Sequence, residues 1–119
     1  MKRILVIDTD IDNLTTVELI LSAQGHKVHS HSKWRRGFFQ IEVVKPSLII
    51  LEVFLDTADG RNLAKQIKHK QPIKHIPILL FSSDHTVKES LKECGANEFL
   101  GKPFKIDHLV ETVKRMIAA

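Results

Sequence analysis

Three short apolar runs in this chain each end on a polar residue. Ile4-Leu5-Val6-Ile7 stops at Asp8, Leu48-Ile49-Ile50-Leu51 at Glu52, and Ile78-Leu79-Leu80-Phe81 at Ser82. A fourth, Phe99-Leu100, leads to Lys102-Pro103. A strand with one wet face alternates apolar with polar. These runs do not alternate, so both faces must be covered, which is the condition of a parallel sheet between layers of helices. Ligands of such sheets bind outside the carboxyl ends of the strands, where the strand order reverses. Two acids, a hydroxyl and a lysine at those ends therefore describe one site.

Helical patterns fill the spaces between strands at 3–7, 27–31, 48–52, 78–81 and 98–100. A helix over 13–24 places Leu14, Val17, Ile20 and Leu21 on one face, with Asp10 or Asp12 as its cap and Gly25 as its stop. The helix over 33–44 turns Trp34, Phe38, Ile41 and Val44 inward, and Pro46 closes it. Helices over 61–69, 86–94 and 105–117 carry the stripes Leu63-Ala64-Ile67, Val87-Leu91-Cys94, and Leu109-Val113 with Met116 or Ile117. The run 27–31 alternates and reads as an edge strand. Five strand–helix units with right-handed crossovers predict one α/β domain over 1–119. It is a flavodoxin-like, doubly wound, three-layer sandwich with parallel strand order 2-1-3-4-5. In that order Asp8 and Glu52 become neighbours at the switch point.

Composition narrows the function classes. With 119 residues, 43% of them hydrophobic, the chain can build one core. The single cysteine, Cys94, excludes an internal disulfide framework, fits a reducing compartment and reads as core packing. Neither a membrane-length apolar stretch nor a leader pattern occurs, so a soluble cytoplasmic protein is expected. His29 and His31 share one face of the second strand without a third ligand in sequence, and read as a solvated edge. The net charge of +4 favours polyanions weakly. Lys33, Arg35 and Arg36 on the second helix, with Lys65, Lys68, Lys70 and Lys74 on and after the third, could merge into a patch. A basic adaptor binding nucleic acid through these two helices is the alternative of another class, and a solvated face is the plainer reading.

The whole chain resembles the receiver domain of two-component response regulators. The resemblance rests on Ile4-Leu5-Val6-Ile7-Asp8, Pro46-Ser47-Leu48-Ile49-Ile50-Leu51, Asp59-Gly60, Ile76-Pro77-Ile78 with Ser82, Gly95-Ala96-Asn97-Glu98-Phe99 and Lys102-Pro103-Phe104, in that order. It implies a CheY-like fold. It also implies an acidic pair after strand one that holds Mg²⁺ and an aspartate ending strand three that accepts a phosphoryl group from a histidine kinase. A Ser or Thr ending strand four and a lysine before a proline would contact the phosphoryl oxygens. Asp8 matches the first acid, Ser82 the hydroxyl, Lys102 the lysine and Phe99 the aromatic switch position. The Lys102-Pro103 bond resembles the family's cis peptide. The resemblance places the output surface, for a kinase or downstream effector, on helix four, strand five and helix five, with Lys88, Lys92, Phe99, Lys105 and His108.

Two residues depart from that pattern. Thr9 stands where the second acid belongs, so Mg²⁺ should bind weakly; Asp10 could compensate but is better placed to cap the first helix. Glu52 stands where the phosphoacceptor aspartate belongs. Its extra methylene moves the carboxylate by roughly an ångström, a misplacement that can cost on the order of 10²-fold in rate. The expectation is a non-enzymatic, degenerate receiver acting as a protein–protein signalling module. Its alternative within the class is an active receiver that takes the phosphoryl group on another acid, such as Asp8 or Asp56.

Overall fold

A computed structural model describes residues 2–118. Strands β1 (Arg3–Ile7), β2 (Lys27–His31), β3 (Leu48–Glu52), β4 (Ile78–Ser82) and β5 (Glu98–Gly101) form one parallel sheet in the order β2-β1-β3-β4-β5. Helices α1 (Ile11–Ala23), α2 (Trp34–Val44), α3 (Gly60–Lys68), α4 (Leu91–Cys94) and α5 (Ile106–Ala118) complete the doubly wound fold expected from the apolar runs.

The runs lack alternation because each strand feeds two cores. Ile4, Val6, Leu48, Ile50, Leu79 and Phe81 point to one face, under Leu14, Val17 and Leu21 of α1 and Leu109, Val113 and Met116 of α5. Leu5, Ile7, Ile49, Leu51, Ile78 and Leu80 point to the other, with Ile41 of α2, Leu63 and Ile67 of α3, and Cys94. Every residue of β3 and β4 is buried. At about 1.5–3 kcal/mol per fully buried aliphatic side chain, this two-sided burial is the main force holding the order of the sheet. Edge strand β2 is only half-buried beyond its first residue.

Register places the site. Ile7 lies opposite Leu51, Glu52 opposite Phe81, and Ser82 opposite Gly101. The residues that follow each run therefore leave the sheet at one end. α1 begins two residues earlier than expected, and Asp10 rather than Asp12 is its cap, its carboxylate accepting from the Asn13 N–H at 3.2 Å.

The single helix expected over 86–94 is corrected by the structure. His85–Ser90 is a 3₁₀ segment, and only Leu91–Cys94 is α-helical. Side chains there compete with the backbone. Asp84 Oδ1 accepts from both the N–H and the hydroxyl of Thr86, at 3.0 and 2.6 Å, and Ser90 Oγ donates to the Val87 carbonyl at 2.6 Å. Val87 alone is buried in the segment, too little apolar surface to enforce a regular stripe.

The histidines beside the edge strand give the fold a pH response. His29 Nε2 and His26 Nδ1 are buried with no hydrogen-bond partner among the described residues. Burial first, then Lys27 and Arg3, lowers the pKa of His29; burial first, then His29 and Arg36, lowers that of His31. A lowered folded-state pKa means that the unfolded chain takes up the protons first. Stability should be flat above the ordinary value of 6.5 and decline as pH falls below it. Urea denaturation on either side of that pH should show the decline, and His29→Gln should flatten it.

Candidate functional site

Lys102 is the centre of the site. Its ammonium donates to Asp8 Oδ2 and to Glu52 Oε1, each at 2.7 Å. Asp8 follows β1, Glu52 ends β3 and Lys102 follows β5, so one cation ties three strand ends together. Both acids are at least nine-tenths buried, and the lysine side chain is 16% exposed. Burial alone would lower the Lys102 pKa, but the hydrogen bonds and charges of Asp8 and Glu52 outweigh it and raise it. The pocket thus holds two carboxylates and one ammonium, a net charge of −1.

The remaining carboxylate valences are also engaged. Glu52 Oε2 accepts from the Val53 N–H at 2.7 Å and more distantly from that of Phe54 at 3.4 Å. Asp8 Oδ1 accepts from the Asp10 N–H at 3.0 Å, and Asp8 Oδ2 from Asn13 Nδ2 at 2.7 Å. The start of α1 thereby holds Asp8 from one side while Lys102 holds it from the other. Gly60 is required behind the site. A Cβ there would lie 2.2 Å from the Glu52 carbonyl oxygen, so the loop after β3 could not close over the strand end with a larger residue.

Asp8, Glu52 and Lys102 are brought together as expected from the sequence. Ser82 is fully buried in the same corner, where its carbonyl accepts from the Lys102 N–H at 2.9 Å, but its hydroxyl accepts from the Asp84 N–H at 3.0 Å. Thr9 is exposed at the rim, lining a cleft of about 660 Å³ with Ile11, Trp34 and Phe54. The Asp10 carboxylate is committed to its cap and Asp56 is exposed in the loop after β3; neither side chain bonds to Lys102, Asp8 or Glu52 among the described residues. Phe99 is half-buried on β5, with the ring of His85 edge-on at 6.0 Å between centroids. The Lys102-Pro103 peptide is cis.

Two contributors are not named by the sequence reading. Asn13 becomes a site residue because α1 starts early enough to swing it over Asp8; a polar residue three after the cap was the available signal. His85 stands over Gly101, where a Cβ would meet its ring at 2.6 Å, and no local pattern announces that contact.

The basic cluster does not form one free patch. Lys70 pairs with Glu42 at 2.8 Å and Lys65 with Glu93 at 3.5 Å. Lys68 donates to the Ile76 carbonyl at 2.7 Å, and Arg35 lies over the Trp34 ring at 4.8 Å. Trp34 and Phe38 pack against the core, as their helical spacing implied.

Comparison with known proteins gives the same fold and a family match over most of the chain. Residues 4–114 match the family described as the response regulator receiver domain. The transcriptional regulatory protein GltR of Pseudomonas aeruginosa is 32% identical over 121 residues, covering 98% of this chain and 49% of that protein. The alkaline phosphatase synthesis transcriptional regulatory protein PhoP of Bacillus subtilis is 28% identical over 116 residues, covering 98% and 48%. The chain thus spans about half the length of these relatives. The crystal structure of a putative response regulator from Chloroflexus aurantiacus superposes with a TM-score of 0.93 at 31% identity, covering 99% of this chain and 98% of that one. The receiver domain of a sensor histidine kinase from Pseudomonas aeruginosa, with a magnesium ion in its active-site cleft, shares the fold at a TM-score of 0.89 and 22% identity, covering 99% and 98%.

The charge arrangement has a measurable consequence. Lys102→Met leaves Asp8 and Glu52 facing each other without their shared cation. Breaking a buried pair this way should cost about 3–5 kcal/mol in urea denaturation. Adding Glu52→Gln to Lys102→Met should recover part of that loss, because one of the two opposed charges is gone.

Proposed function

Because this chain belongs to the response regulator receiver domain family, we propose that it is a receiver module of two-component signalling whose phosphoryl-accepting pocket is closed. In this reading it acts by docking on proteins and not by catalysis. The observation that carries the reading is the ammonium of Lys102 held at 2.7 Å by both Asp8 and Glu52. Transfer onto a carboxylate needs one of its oxygens free and in line with the incoming phosphoryl group. Here one oxygen of Glu52 accepts from Lys102 and the other from the Val53 N–H, so each must give up or share a donor before an incoming group can align with it.

Glu52 supports a second half of the proposal. Its added methylene carries negative charge toward Lys102, where the family has a phosphoryl group in the activated state. The imitation is incomplete: one charge and two oxygens stand in for about −1.5 to −2 and three acceptor oxygens. We infer that the domain is held near one signalling state, and that the divergence extends beyond one residue because Thr9 has also lost its charge.

Receiver domains bind Mg²⁺ in this cleft, as the sensor-kinase receiver from Pseudomonas aeruginosa does. In this chain Asp8 and Glu52 are the acids that would hold it, and the ion would supply charge neutralisation when bound. The donor set fits it poorly. Among the described residues no three His, Cys, Asp or Glu side chains form a cluster that could hold a metal, and Lys102 already pairs with both acids. Mg²⁺ keeps several waters but demands near-octahedral oxygen ligands, so weak binding is the expectation.

The partner would be a histidine kinase or a downstream effector, in the cytoplasm, meeting the face formed by α4, β5 and α5. Phe99 is half-buried there, while Lys88, Lys92, Lys105 and His108 are exposed. Phe99 has room to change exposure because it packs beside the irregular 3₁₀ segment and not under a regular helix.

Amide NMR titration with Mg²⁺ followed by beryllofluoride, a phosphoryl mimic, tests the closed pocket. The parent chain should show no shifts at Ser82, Phe99 and Lys102, whereas Thr9→Asp/Glu52→Asp should shift at all three. A parent that responds like the double variant overturns the proposal.

A further inference from the structure

The outer face of α2 is unpartnered. Phe39 and Val43 are 72% and 73% exposed, and their four-residue spacing sets them side by side on the helix. Phe39 touches the ring of Phe38 edge-on at 6.4 Å between centroids and is otherwise largely open. Paired large apolar side chains on one helix face favour an interface, unlike apolar residues scattered singly over a surface.

The charges of α2 run against its own macrodipole. α1 opens with Asp12, α3 is capped by Asp59 and closes with Lys65 and Lys68, and α5 opens with Asp107 and ends with Arg115. In α2 the first turn has no acid, the last turn no base, and Lys33 supplies no side-chain cap. Arg35 and Arg36 open the helix and Glu42 lies in its last turn, the reverse of what the dipole favours. At the carboxyl end, the Arg3 guanidinium donates to the carbonyls of Val44 and Lys45, at 2.9 and 3.3 Å. The first turn of α2 carries no acid of its own.

A second copy laid antiparallel would provide one. Arg35 and Glu42 are seven residues apart, which puts them within about 20° of each other around the helix, on one flank of the apolar pair. A twofold axis crossing α2 between residues 38 and 39 opposes Arg35 to the partner's Glu42, and the symmetry repeats the pair. The same operation stacks Phe39 and Val43 of both chains along the seam and sets each helix's positive end beside the other's negative end.

We propose that α2 is a self-association surface, through which two copies of this chain pair antiparallel by Phe39 and Val43 with reciprocal Arg35–Glu42 ion pairs. The contact is small, one helix against one helix, below the roughly 1,200 Å² of a stable interface, so the dimer is weak and concentration-dependent. Glu42 exchanges its own-chain partner Lys70 at little cost, since both side chains are about half-exposed. The proposal does not depend on the state of the Lys102 pocket.

Sedimentation equilibrium of the chain from micromolar to millimolar concentration, at low salt, tests it. The parent should dimerise at the upper end and Phe39→Asp should stay monomeric. Arg35→Glu and Glu42→Arg should each weaken association by roughly tenfold, since each reversal sets two like-charge contacts in the dimer. The double variant Arg35→Glu/Glu42→Arg should restore it. Circular dichroism of each variant checks that the fold is intact. A monomeric parent overturns the proposal and leaves the face to a different protein. So does a dimer indifferent to Phe39→Asp, or a double reversal no tighter than the singles.

Discussion

The contact on which the rest of the site depends is a cation shared by two buried acids that arrive from different strands. Asp8 and Glu52 are neighbours because β1 and β3 are adjacent and in register at the switch point, with Ile7 opposite Leu51. Two carboxylates so close and so buried cannot both remain charged without compensation. Lys102, delivered by the chain leaving β5, supplies it at 2.7 Å to each. The interaction spans 94 residues of sequence back to Asp8 and 50 back to Glu52, so it closes the far edge of the fold against its centre.

The same site engages both oxygens of Glu52. One oxygen accepts from the Lys102 ammonium and the other from the Val53 N–H. Leu51 and Val53, on either side of Glu52, are fully buried. The hydrogen bonds of the site and the packing of the fold are therefore supplied by different residues. The apolar surface that holds the sheet together lies in residues that never touch the pocket.

Much of this was legible in the residues. The unbroken apolar runs announced two-sided burial, their polar ends announced the site, and the alternating Lys27–His31 announced the edge. Helix stripes were readable wherever four or more apolar residues recurred at the right spacing, as in α1 and α5. The reading failed where side-chain hydrogen bonds competed with the backbone. At His85–Ser90, Asp84, Thr86 and Ser90 redirected what looked like a helix into a 3₁₀ segment. It also missed Asn13, whose role depends on where α1 begins.

The sequence by itself determined the order of elements, the two cores and the identity of the groups that meet at the strand ends. Periodicity and turn residues encode these locally, and right-handed crossovers leave few ways to combine them. Only the tertiary structure decided which valences of those groups are already taken. Lys102 could have faced solvent, Ser82 could have turned toward it, and Lys65, Lys68 and Lys70 could have formed an open basic face. Each outcome was set by atoms that long-range packing brings within about 3 Å, a scale on which hydrogen bonds are made or lost and which spacing along a chain does not specify.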